Sequence, residues 1–181
     1  MNVPLNRERS HPDAGSPSLT PLRGAAVHRL DGALDCVSRK VRHLFDWWNA
    51  VAGGLPPDWS CFDVTEHRTV VAHLYLVKRR APADWVFAIR GEAMHEVFPH
   101  CKATGPVAEI CSPDSALALT SHYERVADTG RCHLVRGTIL NDRKDLVDIE
   151  SIDCPFIDRR AGRSVILGVI ERIAIRPPAV A

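Results

Sequence analysis

Apolar residues recur at alternating steps of four and three positions near the start of the chain. They are Leu30, Leu34, Val37, Val41, Leu44, Trp48 and Val51. This spacing is typical of one face of an amphipathic helix, and the glycines and prolines of 53–57 would end that helix. The pattern predicts a long N-terminal amphipathic helix over 21–53. It would lie on its own domain or also pair with a second copy, and the sequence leaves both open.

Shorter apolar runs farther along the chain have the alternation of strands. We predict strands at 74–77, 85–90, 133–140, 146–156 and 164–175. In the fourth of these, Asp148 and Glu150 would lie opposite the apolar Val147 and Ile149. A helix is expected over about 115–128, with Tyr123 facing inward and the charged groups beside it in solvent. The order predicts an α+β domain with about five antiparallel strands flanked by helices.

The two ends of the chain differ in composition from the rest. Residues 1–20 contain prolines among Ser, Asn, Asp and Arg without periodicity, which favours a disordered leader. The folded domain is expected over 54–176, and the paired prolines at 177–178 begin a tail that reaches residue 181.

Charge and composition exclude several classes of protein. The 181 residues include 23 basic and 22 acidic side chains, a net charge of +1, so we expect no nucleic-acid partner. The longest apolar run, 165–170, is too short to span a bilayer, and the first residues lack the apolar stretch of a signal peptide. We therefore expect no membrane insertion and a cytoplasmic protein. Its six cysteines contain no CxxC pair and are expected to be reduced.

Several short segments resemble a family of small, stand-alone proteobacterial proteins with the PAS fold. They lie within residues 44–173 and are Trp47-Trp48 before Gly54-Leu55-Pro56, Phe62-Asp63, Trp85 to Gly91, Thr104-Gly105, Tyr123 and Cys154-Pro155. The chain departs from the family pattern at Val64, where proline is common, and at Glu92, where Thr or Ser is common. The resemblance implies one antiparallel sheet, built from two strands and three consecutive hairpin strands, with a helical flank. It also implies a sensory or protein-interaction role in bacterial signalling, without naming the signal.

In a PAS-like fold, the concave face of the sheet and the adjacent helices enclose a small cavity. The candidate lining residues are Phe87, Ile89, Met94, Phe98, Tyr123, Val135 and Val169. A core filled at normal density is an equally good interpretation of these side chains. The resemblance identifies no ligand, so the cofactor is unknown, and a bound cofactor and no cofactor both stay open.

The N-terminal helix is the candidate element for passing a signal to a partner. Its seam residues Leu30, Leu34, Val37, Val41, Leu44 and Trp48 would form the contact in a homodimer, or change their packing when a signalling protein binds. The leading hypothesis is a non-enzymatic sensory or interaction module that acts through such contacts.

Two alternatives stay open. One is a haem- or metal-binding sensor, with His95, His100 and Cys101 as candidate ligands. The two histidines are five residues apart with Pro99 between them, so they do not form the zinc-protease motif. The other alternative is a small α+β cone-type enzyme that uses a His or Asp in the pocket as acid or base. The sequence contains no phosphate-binding loop and no serine-nucleophile motif.

Overall fold

Seven antiparallel strands form one sheet in the computed structural model, which describes residues 26–29, 36–97, 104–140 and 146–173. The strands in chain order are β1 (Ala26–Arg29), β2 (Leu74–Ala81), β3 (Asp84–Arg90), β4 (Gly105–Pro106), β5 (His133–Leu140), β6 (Leu146–Asp158) and β7 (Arg163–Arg172). Their order across the sheet is β1-β5-β6-β7-β2-β3-β4. The hairpin strands β5, β6 and β7 thus lie beside the pair β2 and β3, as the resemblance to the PAS fold implied.

Helices cover both faces of this sheet. They are α1 (Arg39–Ala52), α2 (Glu92–Val97), α3 (Val107–Ile110) and α4 (Pro113–Thr129). The outer face is the face that packs against α1, and the inner face is the face that packs against α2, α3 and α4. Side chains of a strand alternate between faces, so Ile152 of β6 lies in the outer core and Ile149 in the inner core. The predicted α+β class is confirmed.

The N-terminal helix is shorter than predicted. Ser38 caps it, because its side-chain oxygen accepts hydrogen bonds from the backbone N–H groups of Lys40 and Val41. Gly53 ends it in the left-handed conformation, with φ of 55°. The expected helix over 21–53 is therefore corrected to 39–52. Residues 26–29 instead form β1, which pairs with β5 at the edge of the sheet. This long-range pairing satisfies the backbone hydrogen-bonding groups of β1, and a local apolar period cannot indicate it.

The seam of α1 packs inside its own domain. Val41, Leu44 and Trp48 are almost completely buried in the outer core, and the indole N–H of Trp48 donates to the carbonyl oxygen of Pro155 at 2.9 Å. Val37 precedes the helix and is 61% exposed. The other two seam candidates, Leu30 and Leu34, lie outside the described residues.

The fourth helix and the hairpin strands agree closely with the sequence prediction. Ser112 caps α4, Pro113 occupies its first turn and Gly130 ends it with φ of 60°. β5 has the predicted limits, whereas β6 extends two residues farther than expected and β7 ends earlier. The leader 1–20 and the tail 177–181 lie outside the described residues. Within the part that is described, no helix is long and apolar enough to cross a membrane.

Candidate functional site

A connected group of polar side chains is buried on the inner face. We call it the inner polar cluster, and it consists of Tyr75 on β2, Ser151 and Asp153 on β6, and His122 on α4. All four side chains are more than 90% buried. Buried polar groups of this kind are costly unless they bond to one another, so their mutual geometry decides what the cluster can do.

The register of the sheet brings the cluster together. Tyr75 pairs with Gly168, Gly168 pairs with Asp153, and Asp153 pairs with His133, so four neighbouring strands contribute to one row. A Cβ atom on Gly168 would lie 2.1 Å from Cζ of Tyr75. The tyrosine ring therefore lies over the glycine, and only glycine at this position lets the phenol reach Asp153.

Hydrogen bonds in the cluster meet at the Asp153 carboxylate. The hydroxyl of Tyr75 donates to Oδ1 of Asp153 at 2.6 Å. Because that uses the single phenol proton, the Ser151 hydroxyl, 2.8 Å away, donates to the phenol oxygen. Burial, followed by the charge of Asp153, raises the pKa of Tyr75 well above its usual range. The phenol therefore stays protonated and remains a donor.

His122 supplies the other bond to the carboxylate. Its Nε2 lies 2.8 Å from Oδ2 of Asp153, whereas its buried Nδ1 has no hydrogen-bond partner among the described residues. The ring lies 5.8 Å from that of His133, whose Nε2 is 3.0 Å from the Thr129 hydroxyl. A carboxylate that orients an imidazole in this way leaves the second ring nitrogen available to a ligand or a proton.

The predicted pocket residues divide between the two faces. Phe87, Met94 and Tyr123 are buried together in the inner core, and the rings of Phe87 and Tyr123 are 6.2 Å apart. Val135 is buried as well. Phe98 lies outside the described residues.

Two of the predicted lining residues do not belong to the inner face. Val169 alternates with Ile170 along β7 and packs in the outer core. Ile89 is 51% exposed, because the β2–β3 register shifts by one residue between the pairs Leu76–Ile89 and Val77–Phe87. Such a bulge transfers the following side chain to the other face, so strict alternation along β3 gave the wrong side for Ile89.

The outer face holds the beginning of α1 through a buried carboxylate. Glu150 of β6 is fully buried and accepts hydrogen bonds from the backbone N–H groups of Val37 and Ser38, at 3.0 and 3.1 Å. Arg136 of β5 donates to the same carboxylate from Nε and Nη2, at 3.0 and 2.8 Å. A buried glutamate thus receives one cation and two amide donors, which satisfies it.

Glu171 of β7 extends this attachment. It accepts hydrogen bonds from the Ser38 hydroxyl and from the Lys40 ammonium. Burial alone would raise the pKa of Glu171, but these two bonds outweigh burial and lower it. We call Ser38, Lys40, Arg136, Glu150 and Glu171 the α1 anchor.

Sequence reasoning missed both groups. It placed Glu150 on the strand face opposite Val147 and Ile149 without a partner. It assigned the charged groups beside Tyr123 to solvent, yet Glu150 and His122 are buried. The overlooked signal is the alternation of acids with apolar residues along β6. This strand is buried on both faces of the sheet. Acids in a strand buried on both sides require partners, and those partners define the two groups.

The candidate metal ligands remain apart from these groups. His95 is half-buried on α2, while His100 and Cys101 lie outside the described residues. Within the described ranges, no three His, Cys, Asp or Glu side chains are arranged to hold a metal ion.

Comparison with known proteins gives weak structural likeness and no match in sequence families. No protein-family model and no curated protein matches the chain. A solved structure described as an RNA-binding light-oxygen-voltage receptor is similar over 88% of this chain, with 11% sequence identity and a TM-score of 0.45. The chain spans 41% of that receptor chain. Likeness at this level transfers no ligand or activity, so the strand order described above carries the fold assignment.

Proposed function

We propose that this chain is a non-enzymatic, PAS-like sensory or protein-interaction module. The inner polar cluster would be the site where a signal is registered, and α1 would be the element that passes it to a partner. The observation that carries the proposal is the position of two neighbouring residues on β6. Glu150 binds the start of α1 on the outer face, and Ser151 binds Tyr75 on the inner face.

Adjacent residues of a paired strand cannot move independently. At Glu150 and Ser151, the backbone of β6 pairs with β5 on one side and with β7 on the other. A change that shifts or twists β6 at Ser151 must therefore change the position of the Glu150 carboxylate. Because this carboxylate binds the amides that precede α1, the entry of α1 would respond to events on the opposite face of the sheet.

Partner contacts would use the exposed residues around α1 rather than its buried seam. Val41, Leu44 and Trp48 are buried in the outer core, so a homodimer of the intact domain must form elsewhere. Val37 and Val51 are 61% and 42% exposed. We expect the double substitution Val37→Glu and Val51→Glu to shift the mass in light scattering from dimer to monomer. Substitution of the exposed Asn49 by Glu is the control, and a dimer that survives the valine changes would contradict this contact.

Hydrogen exchange tests the coupling between the two faces. Tyr75→Phe removes a hydroxyl on the inner face only. We expect the amides of Val37 and Ser38, on the outer side, to exchange roughly 3- to 10-fold faster, which corresponds to a loss of about 1 kcal/mol. Val126→Ala is the matched control, because it removes buried volume from α4 on the same face without touching a hydrogen bond of β6. Unchanged exchange at Val37 and Ser38 in Tyr75→Phe would overturn the proposal.

The pairing of His122 with Asp153 favours a second candidate, an enzyme that uses His122 as acid or base. A buried carboxylate orients the imidazole, and Nδ1 is left to take or give a proton. Turnover in a panel of ester and ketone substrates would support this candidate if His122→Asn abolished it and His95→Asn did not. Turnover that persists in His122→Asn would contradict it.

A further inference from the structure

Two buried thiols meet beneath α1. Cys132 immediately precedes β5 and Cys154 lies within β6, and their sulfur atoms are 3.2 Å apart. The two side chains are 2% and 0% exposed. Both belong to the outer core that packs against α1.

The sheet register aligns these cysteines opposite each other. The β5–β6 register runs without a shift from Leu140–Leu146 to His133–Asp153, and Cys132 and Cys154 are one step beyond the last of these pairs. Closing the gap from 3.2 Å to the bond length of about 2.05 Å therefore needs only a small movement of two side chains.

We propose that Cys132 and Cys154 are a redox modification site that forms a reversible intramolecular disulfide, with a small hydroperoxide as the oxidant. This inference does not depend on the proposed sensory function. The site lies on the outer face, whereas Asp153, the residue before Cys154, faces the inner polar cluster.

Cys132 is the thiol that reacts first. It follows Arg131, an exposed residue in the turn after α4, and strand ends open more readily than strand centres. Cys154 lies inside β6, away from a strand end, and burial raises the pKa of its thiol well above the usual range. In the first step, the Cys132 sulfur attacks hydrogen peroxide, forming a sulfenic acid and releasing water. In the second, the Cys154 sulfur attacks that sulfenic acid, the S–S bond forms, and the departing hydroxyl leaves as water with the Cys154 proton. Two thiols are oxidised and one peroxide is reduced to two waters.

The proposal requires that the disulfide exclude the other cysteines in the described part of the chain. Cys36 is buried in the same core, and burial, followed by the charge of Glu150, raises the pKa of its thiol to about 11. Cys61 is exposed, Cys111 is half-buried beside the inner core, and neither belongs to the outer core that contains the pair. Because the strand register and the 3.2 Å separation of the sulfur atoms place Cys132 beside Cys154, oxidation should link this pair and leave Cys36 as a thiol.

Peptide mapping of the full chain tests this directly. Reduced protein is treated with hydrogen peroxide, quenched, alkylated under unfolding conditions and digested with trypsin. We expect a mass loss of two hydrogens and a link between the peptides 132–136 and 145–159, reversed by dithiothreitol. Closing this loop should raise the thermal midpoint by about 5–10 °C.

Single-cysteine variants distinguish the Cys132–Cys154 disulfide from incidental oxidation of another thiol. Cys61→Ser should keep both the link and the midpoint shift, whereas Cys132→Ser and Cys154→Ala should lose both. Three results would overturn the proposal. They are a link that includes Cys36, oxidation confined to Cys61, and thiols that stay reduced in the folded chain at a peroxide concentration that links them in the unfolded chain. None of these results bears on the exchange of the Val37 and Ser38 amides, so the two proposals fail separately.

Discussion

The inner and outer faces of the sheet both bury a carboxylate, but they satisfy it differently. On the outer face, Glu150 binds a cation and two backbone amides, and it attaches a helix. On the inner face, Asp153 binds a phenol and an imidazole, and one imidazole nitrogen has no partner within the described residues. A fully satisfied group stabilises structure, whereas an incompletely satisfied group can respond to a ligand or a proton. This difference is why we assign attachment to the outer face and sensing to the inner face.

Removal of the outer cation should have the largest effect. Arg136→Met leaves the fully buried Glu150 without its only charged partner in the anchor, and we expect a loss of about 3–5 kcal/mol in the free energy of unfolding in urea. Arg80→Met is the control, because the Arg80–Asp84 pair is exposed and its loss should not be measurable. Equal stability of the two variants would contradict the role of the α1 anchor.

A methyl group under the tyrosine ring should disrupt the inner face. In Gly168→Ala the new Cβ would meet the ring of Tyr75, and the ring must leave Asp153. We expect a loss of about 2–3 kcal/mol in thermal or urea unfolding. The same substitution in a Tyr75→Ala background should cost much less, because the ring is no longer there. An equal cost in both backgrounds would show that the ring does not lie over Gly168.

Acid should weaken the outer side through His67, with a smaller effect. His67 is buried beside α1, where its Nδ1 lies 3.1 Å from Nε2 of His43. Burial, followed by the charge of His43, lowers the pKa of His67 below its usual 6.5. The unfolded chain therefore binds a proton before the folded chain does. The free energy of unfolding should fall as the pH drops below about 6.5 and level off below the folded-state pKa.

Urea unfolding between pH 7.5 and 5 measures this dependence. His67→Phe should flatten it, and His95→Phe should leave it unchanged. A steeper fall in His67→Phe would contradict the assignment.

Local sequence rules predicted most of the sheet and α4, because strand alternation and capping residues act over a few positions. They did not predict β1, whose stability comes from pairing with β5 about a hundred residues away. They also misplaced Ile89, because a bulge depends on how two strands pair and cannot be recognised from the sequence of a single strand. The inner polar cluster draws on β2, α4 and β6, so its residues become neighbours only when strand order and register are known. The need of Glu150 for a partner is the one feature that could have been inferred locally, because an acid in a strand buried on both faces requires a buried partner.

Coupling of the two faces through β6 can be measured in a double-mutant cycle between Tyr75→Phe and Glu150→Gln. The two side chains lie on opposite faces of the sheet and do not contact each other. We predict an interaction free energy of at least about 0.5 kcal/mol in urea unfolding. A second cycle pairs Tyr75→Phe with Val70→Ala, a buried outer-core change outside β6 and outside the α1 anchor, and should be additive. Additivity of the Tyr75–Glu150 cycle within about 0.3 kcal/mol would show that the two faces are independent and would contradict coupling through β6.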